Sequence, residues 1–214
     1  MRLFKPTKVC KLCFNNIKNS SLINFIKPNL SLCSYCYKKL VPVFYEFKVE
    51  GCKVESLYLY NNDIKGLLYQ LKGCYDMELA PIFFDRYLFE YRLKYYDYVL
   101  VPAPSYIEDD KKREFNHVEE IYKLLKLPFE KIIVKTKQHK QSDQTREGRK
   151  EIVKVLKVIN GERIKGKKVL IVDDVFTTGS TVRSIIKLIK SFKPKQIRVL
   201  VMSKTNDDDY IKKY

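Results

Sequence analysis

Long apolar stretches are absent from this sequence. No run within its 214 residues approaches the roughly 18 consecutive apolar residues that a membrane-spanning helix needs. The first residues, from Met1 to Lys8, also lack the apolar core of a signal peptide. We therefore expect a cytoplasmic protein, and association with the inner face of the membrane stays open. In the cytoplasm, cysteines are expected to be metal ligands or free thiols rather than disulfides.

Acidic residues are scarce relative to basic ones. The chain has 42 lysines and arginines against 25 aspartates and glutamates, which gives a formal net charge of +17. This excess favours polyanionic partners, namely nucleic acid, an acidic membrane surface or phosphorylated small molecules. The alternative is that many lysines only coat the surface, because charge alone identifies no contact. With 45% hydrophobic residues, the chain predicts one ordinary core with room for a small appended module.

Four of the six cysteines form two closely spaced pairs. The two CxxC turns are Cys10 with Cys13 and Cys33 with Cys36. Their spacing is typical of a structural zinc site, in which each turn places two thiolates on one tetrahedral ion. We therefore predict a zinc module over residues 1–42 and a larger domain over residues 43–214. Chance pairing is the alternative, and the remaining Cys52 and Cys74 are predicted to be buried thiols.

One stretch joins a buried strand to a loop suited to a phosphate. In VLIVDDVFTTGST, residues 169–181, four apolar β-formers lead into Asp173 and Asp174, and hydroxyl side chains surround Gly179. Residues 182–190 then carry apolar side chains at helical spacing. The loop N–H groups and the positive end of the helix can surround a phosphate monoester. The two carboxylates can accept hydrogen bonds from sugar hydroxyls, so the stretch predicts a 5-phosphoribosyl site.

This stretch also has a purely structural interpretation, in which the strand ends in an acidic turn and a threonine caps the helix. A P-loop is excluded, because no Gly-Lys-Ser/Thr follows the glycine. The two histidines, His117 and His139, are more typical of surface residues than of acid–base groups. No catalytic residue is therefore assigned from the sequence.

Helices and apolar strands alternate along the rest of the chain. The predicted strands cover residues 44–49, 53–60, 98–104, 131–134, 169–172 and 196–203. The predicted helices cover residues 64–72, 77–95, 109–125, 147–157 and 182–190. This rhythm predicts an α/β fold, with a parallel sheet, flanking helices and a site at the carboxyl ends of the strands. Residues 135–150 carry no large apolar side chain and predict an exposed basic lid.

The 169–181 stretch resembles the phosphoribosyl diphosphate (PRPP) signature of type I phosphoribosyltransferases. With the two CxxC turns, the chain as a whole resembles the ComF/ComFC branch, which joins a four-cysteine zinc module to such a domain. Three further stretches carry this resemblance. They are Tyr60 through Lys72 to Asp76, VPAP at 101–104 with REFNH at 113–117 (similar to VPxP…RGFNQ), and Gln141 with Arg149.

The resemblance implies roles for individual residues. Asp173 and Asp174 would bind the ribose hydroxyls, and the 5′-phosphate would lie on Thr177, Thr178, Gly179, Ser180 and Thr181. The pyrophosphate loop would be Pro102, Ala103, Pro104 and Ser105, with Lys72 and Arg113 as cationic partners. Gln141 and Arg149 would belong to a flexible loop. The implied metals are a structural Zn²⁺ on the four cysteines and Mg²⁺ bound with PRPP.

Some positions depart from the pattern of the branch. Glu114 stands in place of a glycine, and Glu108 and Asp109 stand where arginines are usual. Ile152 replaces an asparagine. The acidic substitutions weaken the positive field expected around a diphosphate.

The resemblance implies a role in DNA uptake during natural transformation. The protein would bind PRPP and incoming single-stranded DNA in the cytosol, next to a membrane DNA-uptake channel or a helicase. Stacking on bases would need exposed rings, for which Phe4, Phe14, Tyr35 and Tyr37 are candidates. One alternative is a salvage-type phosphoribosyltransferase that exchanges the pyrophosphate of PRPP for a nucleobase. A degenerate transferase fold that serves only as a docking scaffold is the other.

Overall fold

A computed structural model describes residues 8–17, 31–105, 110–112, 114–135 and 156–205. Several residues singled out in the sequence lie outside these ranges: Phe4, Glu108, Asp109, Arg113, His139, Gln141, Arg149 and Ile152. Most of the predicted basic lid also lies outside them. Among the described residues, no helix combines the length and apolarity needed to cross a membrane.

The described chain contains seven strands and five α-helices. The strands are β1 (Tyr45–Val49), β2 (Cys52–Leu59), β3 (Tyr98–Pro102), β4 (Ile133–Lys135), β5 (Leu156–Val158), β6 (Lys168–Phe176) and β7 (Gln196–Lys204). The α-helices are α1 (Ser34–Lys39), α2 (Asn62–Gly73), α3 (Leu88–Lys94), α4 (His117–Tyr122) and α5 (Ser180–Lys190). Short 3₁₀ segments cover Met77–Phe84, Lys123–Leu125 and Gly161–Ile164.

The main sheet has five strands in the order β1-β2-β7-β6-β3. The β1–β2 pair is an antiparallel hairpin that turns at Glu50 and Gly51, as predicted, and the other neighbouring strands run parallel. Strand β6 lies between β7 and β3, with Leu170 opposite both Arg198 and Leu100. A strand in this position is covered on both faces, which explains why its first half is a continuous apolar run.

Two hydrophobic clusters cover the two faces of this sheet. Alternate β6 side chains supply each cluster, because successive residues of a strand point to opposite faces. Leu170 and Val172 belong to the cluster that also contains apolar residues of α2 and α4. Val169 and Ile171 belong to the cluster that contains the apolar side of α5. The predicted α/β fold, a parallel sheet flanked by helices, is confirmed.

One long helix over residues 77–95 was expected, and this prediction is wrong. The segment is a 3₁₀ stretch, Met77–Phe84, followed by the separate helix α3. Pro81 lies inside the first piece and cannot donate the backbone hydrogen bond that an α-helix requires there. Phe83, Phe84 and Tyr91 are buried, as the packing interpretation predicted, whereas Leu93 is exposed.

Two other predicted helices also differ from the structure. The helix expected over 109–125 is interrupted. Glu114 has a left-handed backbone, with φ of +63°, which does not continue a helix. The Asn116 side chain then accepts a hydrogen bond from Glu119 N and caps a new helix, α4, which begins at His117. The helix expected over 147–157 is contradicted where the chain is described, since Leu156–Val158 pairs antiparallel with β4. Local propensity misses this strand because its partner is distant in the sequence.

Candidate functional site

The acidic pair lies at the carboxyl end of β6, next to the end of β3. Asp173 and Asp174 are the sixth and seventh residues of the nine-residue strand, and the loop to α5 follows directly. The β3 strand ends at Pro102, which is opposite Val172. Parallel pairing therefore brings the acidic pair, the hydroxyl loop and the Pro102–Ser105 turn to one edge of the sheet. This is where ligands bind in open α/β sheets.

The loop into α5 presents the N-terminus of that helix. Gly179 is the residue that precedes the helix and has no side chain to cap it. Thr178 Oγ1 accepts from Ser180 N, at 3.3 Å. Thr178 Oγ1 lies 2.7 Å from Ser180 Oγ, so two of the predicted phosphate-binding hydroxyls already lie together. Thr177 is exposed. The first-turn N–H groups and these hydroxyls can therefore act as donors to an anion, with the helix dipole favouring negative charge.

Gly179 is required at this turn for two reasons. Its backbone is left-handed, with φ of +71°, a conformation that side chains disfavour. A Cβ at this position would also lie 2.3 Å from the Phe176 ring. That ring is buried and packs edge-to-face on Phe47, with the centroids 4.9 Å apart. The ring cannot move away without disturbing this packing, so the loop depends on the glycine.

Asp174 is a buried carboxylate with two partners from other elements. Its side-chain Oδ2 lies 2.7 Å from Lys72 Nζ of α2 and 3.2 Å from His117 Nε2 of α4. Burial raises the pKa of Asp174, but the hydrogen bond from His117 and the positive charge of Lys72 outweigh burial and hold it below its ordinary value. Asp174 is therefore ionised at neutral pH, and its charge is compensated inside the protein.

Asp173 has a different environment from its neighbour. Its Oδ1 accepts a hydrogen bond from the Asp174 backbone N at 2.9 Å, and the residue is half-buried. Burial and the adjacent negative charge of Asp174 raise the pKa of Asp173. Its backbone carbonyl is fixed by the Tyr122 hydroxyl at 2.9 Å, which also lies 2.8 Å from the carbonyl of Leu200. Tyr122 thus tethers the carboxyl end of β6 to β7.

The turn after β3 is held by a polar network rather than by cations. Asn116 Nδ2 donates to Ser105 Oγ at 2.7 Å and to Asp110 Oδ2 at 2.9 Å, and Ser105 Oγ donates to the same carboxylate oxygen. Ala103 N donates to Val172 O at 2.8 Å, which fixes the turn against β6. Asp110 and Glu114 both add negative charge to this edge, so its electrostatic potential is less positive. Diphosphate contacts at this turn, with Lys72 or Arg113, remain predictions.

Three residues of this edge were not assigned to the site from the sequence. His117 was expected on the surface, but it is buried, with 6% of its area exposed, and it contacts Asp174. Tyr122 donates a hydrogen bond to the Asp173 backbone carbonyl, and Asn116 donates one to Ser105 in the turn after β3. Asn116 with Glu119 fits a helix-start pattern that places His117 and Tyr122 on one short helix. That signal locates the helix but cannot show which strand end it faces.

The four cysteines of the two CxxC turns converge. All four Sγ atoms lie within 4.8 Å of one another, and Cys13 Sγ is 3.6 Å from Cys33 Sγ. Zinc–sulfur bonds of about 2.3 Å in a tetrahedron place sulfurs about 3.8 Å apart, so the donor set fits one zinc ion. Burial raises the pKa of Cys10, but backbone N–H groups outweigh this and lower it to about 7. Thiolate is the form that binds zinc.

The cysteine module packs directly on the main domain. Cys10, Cys36 and Leu40 belong to the same hydrophobic cluster as the apolar residues of α2. Polar contacts join the same surfaces, through Lys11 Nζ to Glu78 Oε2 at 2.6 Å and Ser31 N to Asp85 Oδ1 at 3.0 Å. Of the two remaining cysteines, Cys52 is buried as predicted, but Cys74 is exposed and that prediction is wrong.

Comparison with known proteins gives consistent similarities. The family model of the phosphoribosyl transferase domain matches residues 116–213. Competence protein ComFC of Streptococcus pneumoniae is 25% identical over 193 residues, which cover 88% of this chain and 83% of that protein. Hypoxanthine-guanine phosphoribosyltransferase of Bos taurus is 42% identical over 55 residues, which cover 23% of this chain and 25% of that enzyme.

Solved structures show the same type of similarity at low identity. A hypoxanthine phosphoribosyltransferase from Staphylococcus aureus matches with a TM-score of 0.40 and 16% identity, covering 62% of this chain and 69% of that one. A hypoxanthine-guanine phosphoribosyltransferase from Bacillus anthracis matches with a TM-score of 0.41 and 14% identity, covering 62% and 72%.

The described residues form an α/β fold with a mostly parallel sheet, and residues 116–213 match the phosphoribosyl transferase domain model. The similarity to ComFC along most of the chain, together with the four-cysteine cluster, fits the ComF/ComFC family. The resemblance noted in the sequence is thereby confirmed.

Replacing Gly179 by alanine should destabilise the loop that precedes α5. A left-handed residue with a Cβ costs roughly 1–2 kcal/mol, and the contact with Phe176 adds to this cost. Gly166→Ala is the matched control, because Gly166 has φ of +70° but open space around its Cβ position. Chemical denaturation should show a larger loss of unfolding free energy for Gly179→Ala. Equal losses in the two variants would contradict the role of the Phe176 contact.

Removing one cysteine of the cluster should remove the metal. Purified protein should contain about one zinc ion per chain, and Cys36→Ser should abolish this content, because a structural site needs all four thiolates. Cys74→Ser, which alters an exposed cysteine outside the cluster, should keep the metal. Elemental analysis measures both. Full zinc content in Cys36→Ser would contradict the four-cysteine site.

Proposed function

We propose that this protein binds PRPP, with Mg²⁺, at the carboxyl edge of β6 and takes part in DNA uptake during natural transformation. The observation that carries the proposal is the start of α5 after Gly179, with its hydroxyl loop, placed beside Asp173 and Asp174. A phosphate fits the loop and sugar hydroxyls fit the acids, so a 5-phosphoribosyl group satisfies both. The printed name of the S. pneumoniae relative, a competence protein, supports the biological role.

Charge compensation at the acids supports binding of an anionic sugar phosphate there. Two bare carboxylates would repel a phosphate, since like charges a few ångströms apart interact by about 1–4 kcal/mol near a protein surface. Lys72 forms an ion pair with Asp174, and His117 donates a hydrogen bond to it. Asp173 is therefore the acid with fewer partners. Mg²⁺, when bound with PRPP, would neutralise the diphosphate. The divided chain, with a zinc module over 1–42 and the sugar-phosphate domain over 43–214, is part of the same proposal.

Two exposed rings on the cysteine module support binding of single-stranded DNA. Phe14 is 75% exposed and Tyr35 is 67% exposed, and Lys39 Nζ lies 5.0 Å from the Tyr35 ring centre. Exposed rings beside cations can stack on bases while the cations contact phosphates. Tyr37 is unsuited to this role, because its ring packs against Arg86 and its hydroxyl lies 3.3 Å from that of Tyr87. We propose a cytoplasmic location, where a membrane channel or a helicase would deliver the strand.

A negative charge placed in the phosphate loop should weaken PRPP binding. Thr177 is exposed, so Thr177→Glu should fold normally, and its carboxylate should repel the 5′-phosphate and lower affinity at least about tenfold. Ser191→Glu is the matched control, because it introduces the same charge at the far end of α5, where the residue is also exposed. Isothermal titration with PRPP and Mg²⁺ measures both.

Equal affinity in the two variants would contradict the loop site. Steady release of pyrophosphate from PRPP with a panel of free bases, without DNA binding, would instead establish a salvage-type transferase.

The protein should retard single-stranded DNA in a gel, and added salt should weaken this binding. The reason is that lysines and arginines of the protein displace counterions from the DNA phosphates. The Phe14→Ala, Tyr35→Ala double variant should weaken this binding, since each stacked base contributes about 1–3 kcal/mol. Phe89→Ala is the control, because Phe89 is 73% exposed on α3 and does not belong to the cysteine module. Retardation assays at several salt concentrations measure this. Identical affinities in the double variant and the control would contradict the stacking surface.

A further inference from the structure

We infer that the two adjacent acids of the β6 edge have different roles, with Asp173 accepting the sugar hydroxyls and Asp174 acting as an anchor that His117 holds in place. The inference rests on the proposed function, because it divides the work within the proposed phosphoribosyl site. It makes His117 a positioning residue, acting through Asp174 rather than on the ligand.

Most of the hydrogen-bonding capacity of Asp174 is already used. A carboxylate offers about four acceptor positions on its two oxygens. Oδ2 accepts from Lys72 Nζ at 2.7 Å and from His117 Nε2 at 3.2 Å, and Oδ1 accepts from Val175 N at 2.7 Å. Only 9% of the residue is exposed. Room for at most one further donor remains, so Asp174 is poorly suited to hold two sugar hydroxyls.

Asp173 has the opposite character. Its Oδ1 accepts one hydrogen bond, from Asp174 N, and among the described residues nothing donates to its Oδ2. It is also more exposed than Asp174. Asp173 therefore has free acceptor positions at the edge where the sugar would lie.

The contact with Asp174 determines which ring nitrogen of His117 acts as a donor. Its Nε2 faces a carboxylate oxygen, so Nε2 must carry the hydrogen that it donates. Its Nδ1 is buried and has no partner among the described residues. His117 therefore donates from Nε2 to the same carboxylate oxygen that pairs with Lys72.

This arrangement joins three elements at one oxygen atom. Asp174 belongs to β6, Lys72 to α2 and His117 to α4. Because Val175 N is bound to the same carboxylate, a shift of Asp174 would move the backbone that leads into the phosphate loop. Loss of the anchor should therefore weaken phosphate binding in general, whereas loss of Asp173 should affect only recognition of the hydroxyls.

Nitrogen NMR of the ligand-free protein tests the anchor. The chain has two histidines, so comparison with His117→Gln assigns the His117 signals. We expect hydrogen on Nε2 in the wild type. We expect a changed signal in Asp174→Asn, because an amide has one acceptor atom and cannot accept both from Val175 N and at the position shared by Lys72 and His117. A ring without hydrogen on Nε2, or a His117 signal unchanged by Asp174→Asn, would overturn the anchor role.

Calorimetric titration with ribose 5-phosphate and 2-deoxyribose 5-phosphate tests the division of roles. The wild type should bind the ribose compound more tightly than the deoxyribose compound. Asp173→Ala should lower the ratio of the two affinities at least about tenfold, as expected for a lost hydrogen bond to a charged group. His117→Leu should weaken both compounds by similar factors and leave the preference intact. His117→Gln keeps a donor and should stay within about threefold of the wild type. Melting curves check that each variant is folded.

The outcomes separate the two proposals. If the wild type binds neither the sugar phosphates nor PRPP, the proposed function and the role of Asp173 are both overturned, while the NMR result still judges the anchor. If the wild type binds but Asp173→Ala keeps the preference and His117→Leu removes it, the division of roles is overturned and the proposed function stands. Failure of His117→Gln to restore binding would overturn the positioning role.

Discussion

The ion pair between Asp174 and Lys72, completed by the hydrogen bond from His117, connects the elements that build the candidate site. A buried carboxylate without partners would be strongly destabilising, so its position commits the protein to bringing α2 and α4 to the end of β6. The same position places Asp173 and the loop into α5 at a common edge. This contact thus links the candidate site to the packing of this face of the sheet.

The cysteine cluster depends on the same face. Its apolar residues join the cluster that covers α2, and its polar contacts reach the 3₁₀ segment Met77–Phe84 and the following Asp85. Lys72 and these contacts therefore belong to one layer of the molecule. A metal that orders the cysteine module would also stabilise the surface on which α2 rests. This shared layer connects the four-cysteine cluster with the candidate site at the end of β6.

Elements with strong local signals could be predicted from the sequence. The β1–β2 hairpin, the capped helix α2 and the strand–loop–helix around Asp173 each carry their own turn or cap residues. Elements that depend on distant partners could not. Residues 77–95 have a helical spacing of aromatic side chains, yet they form a 3₁₀ segment that contains Pro81 and a separate helix. Strand β5 is recognisable only through its pairing with β4. His117 was misplaced on the surface for the same reason, since its partner Asp174 is 57 residues away.

By itself, the sequence determined which functional groups this protein has and how they are spaced. It has four thiols in two CxxC turns, two adjacent acids after a buried strand, and hydroxyls around a single glycine. These follow from spacing and residue type, which are local properties. Only the tertiary structure decided that the two acids are unequal, that Lys72 pairs with Asp174, and that a buried histidine supports it. Those facts depend on which side chains meet across the sheet, and burial then sets their charge and hydrogen bonding.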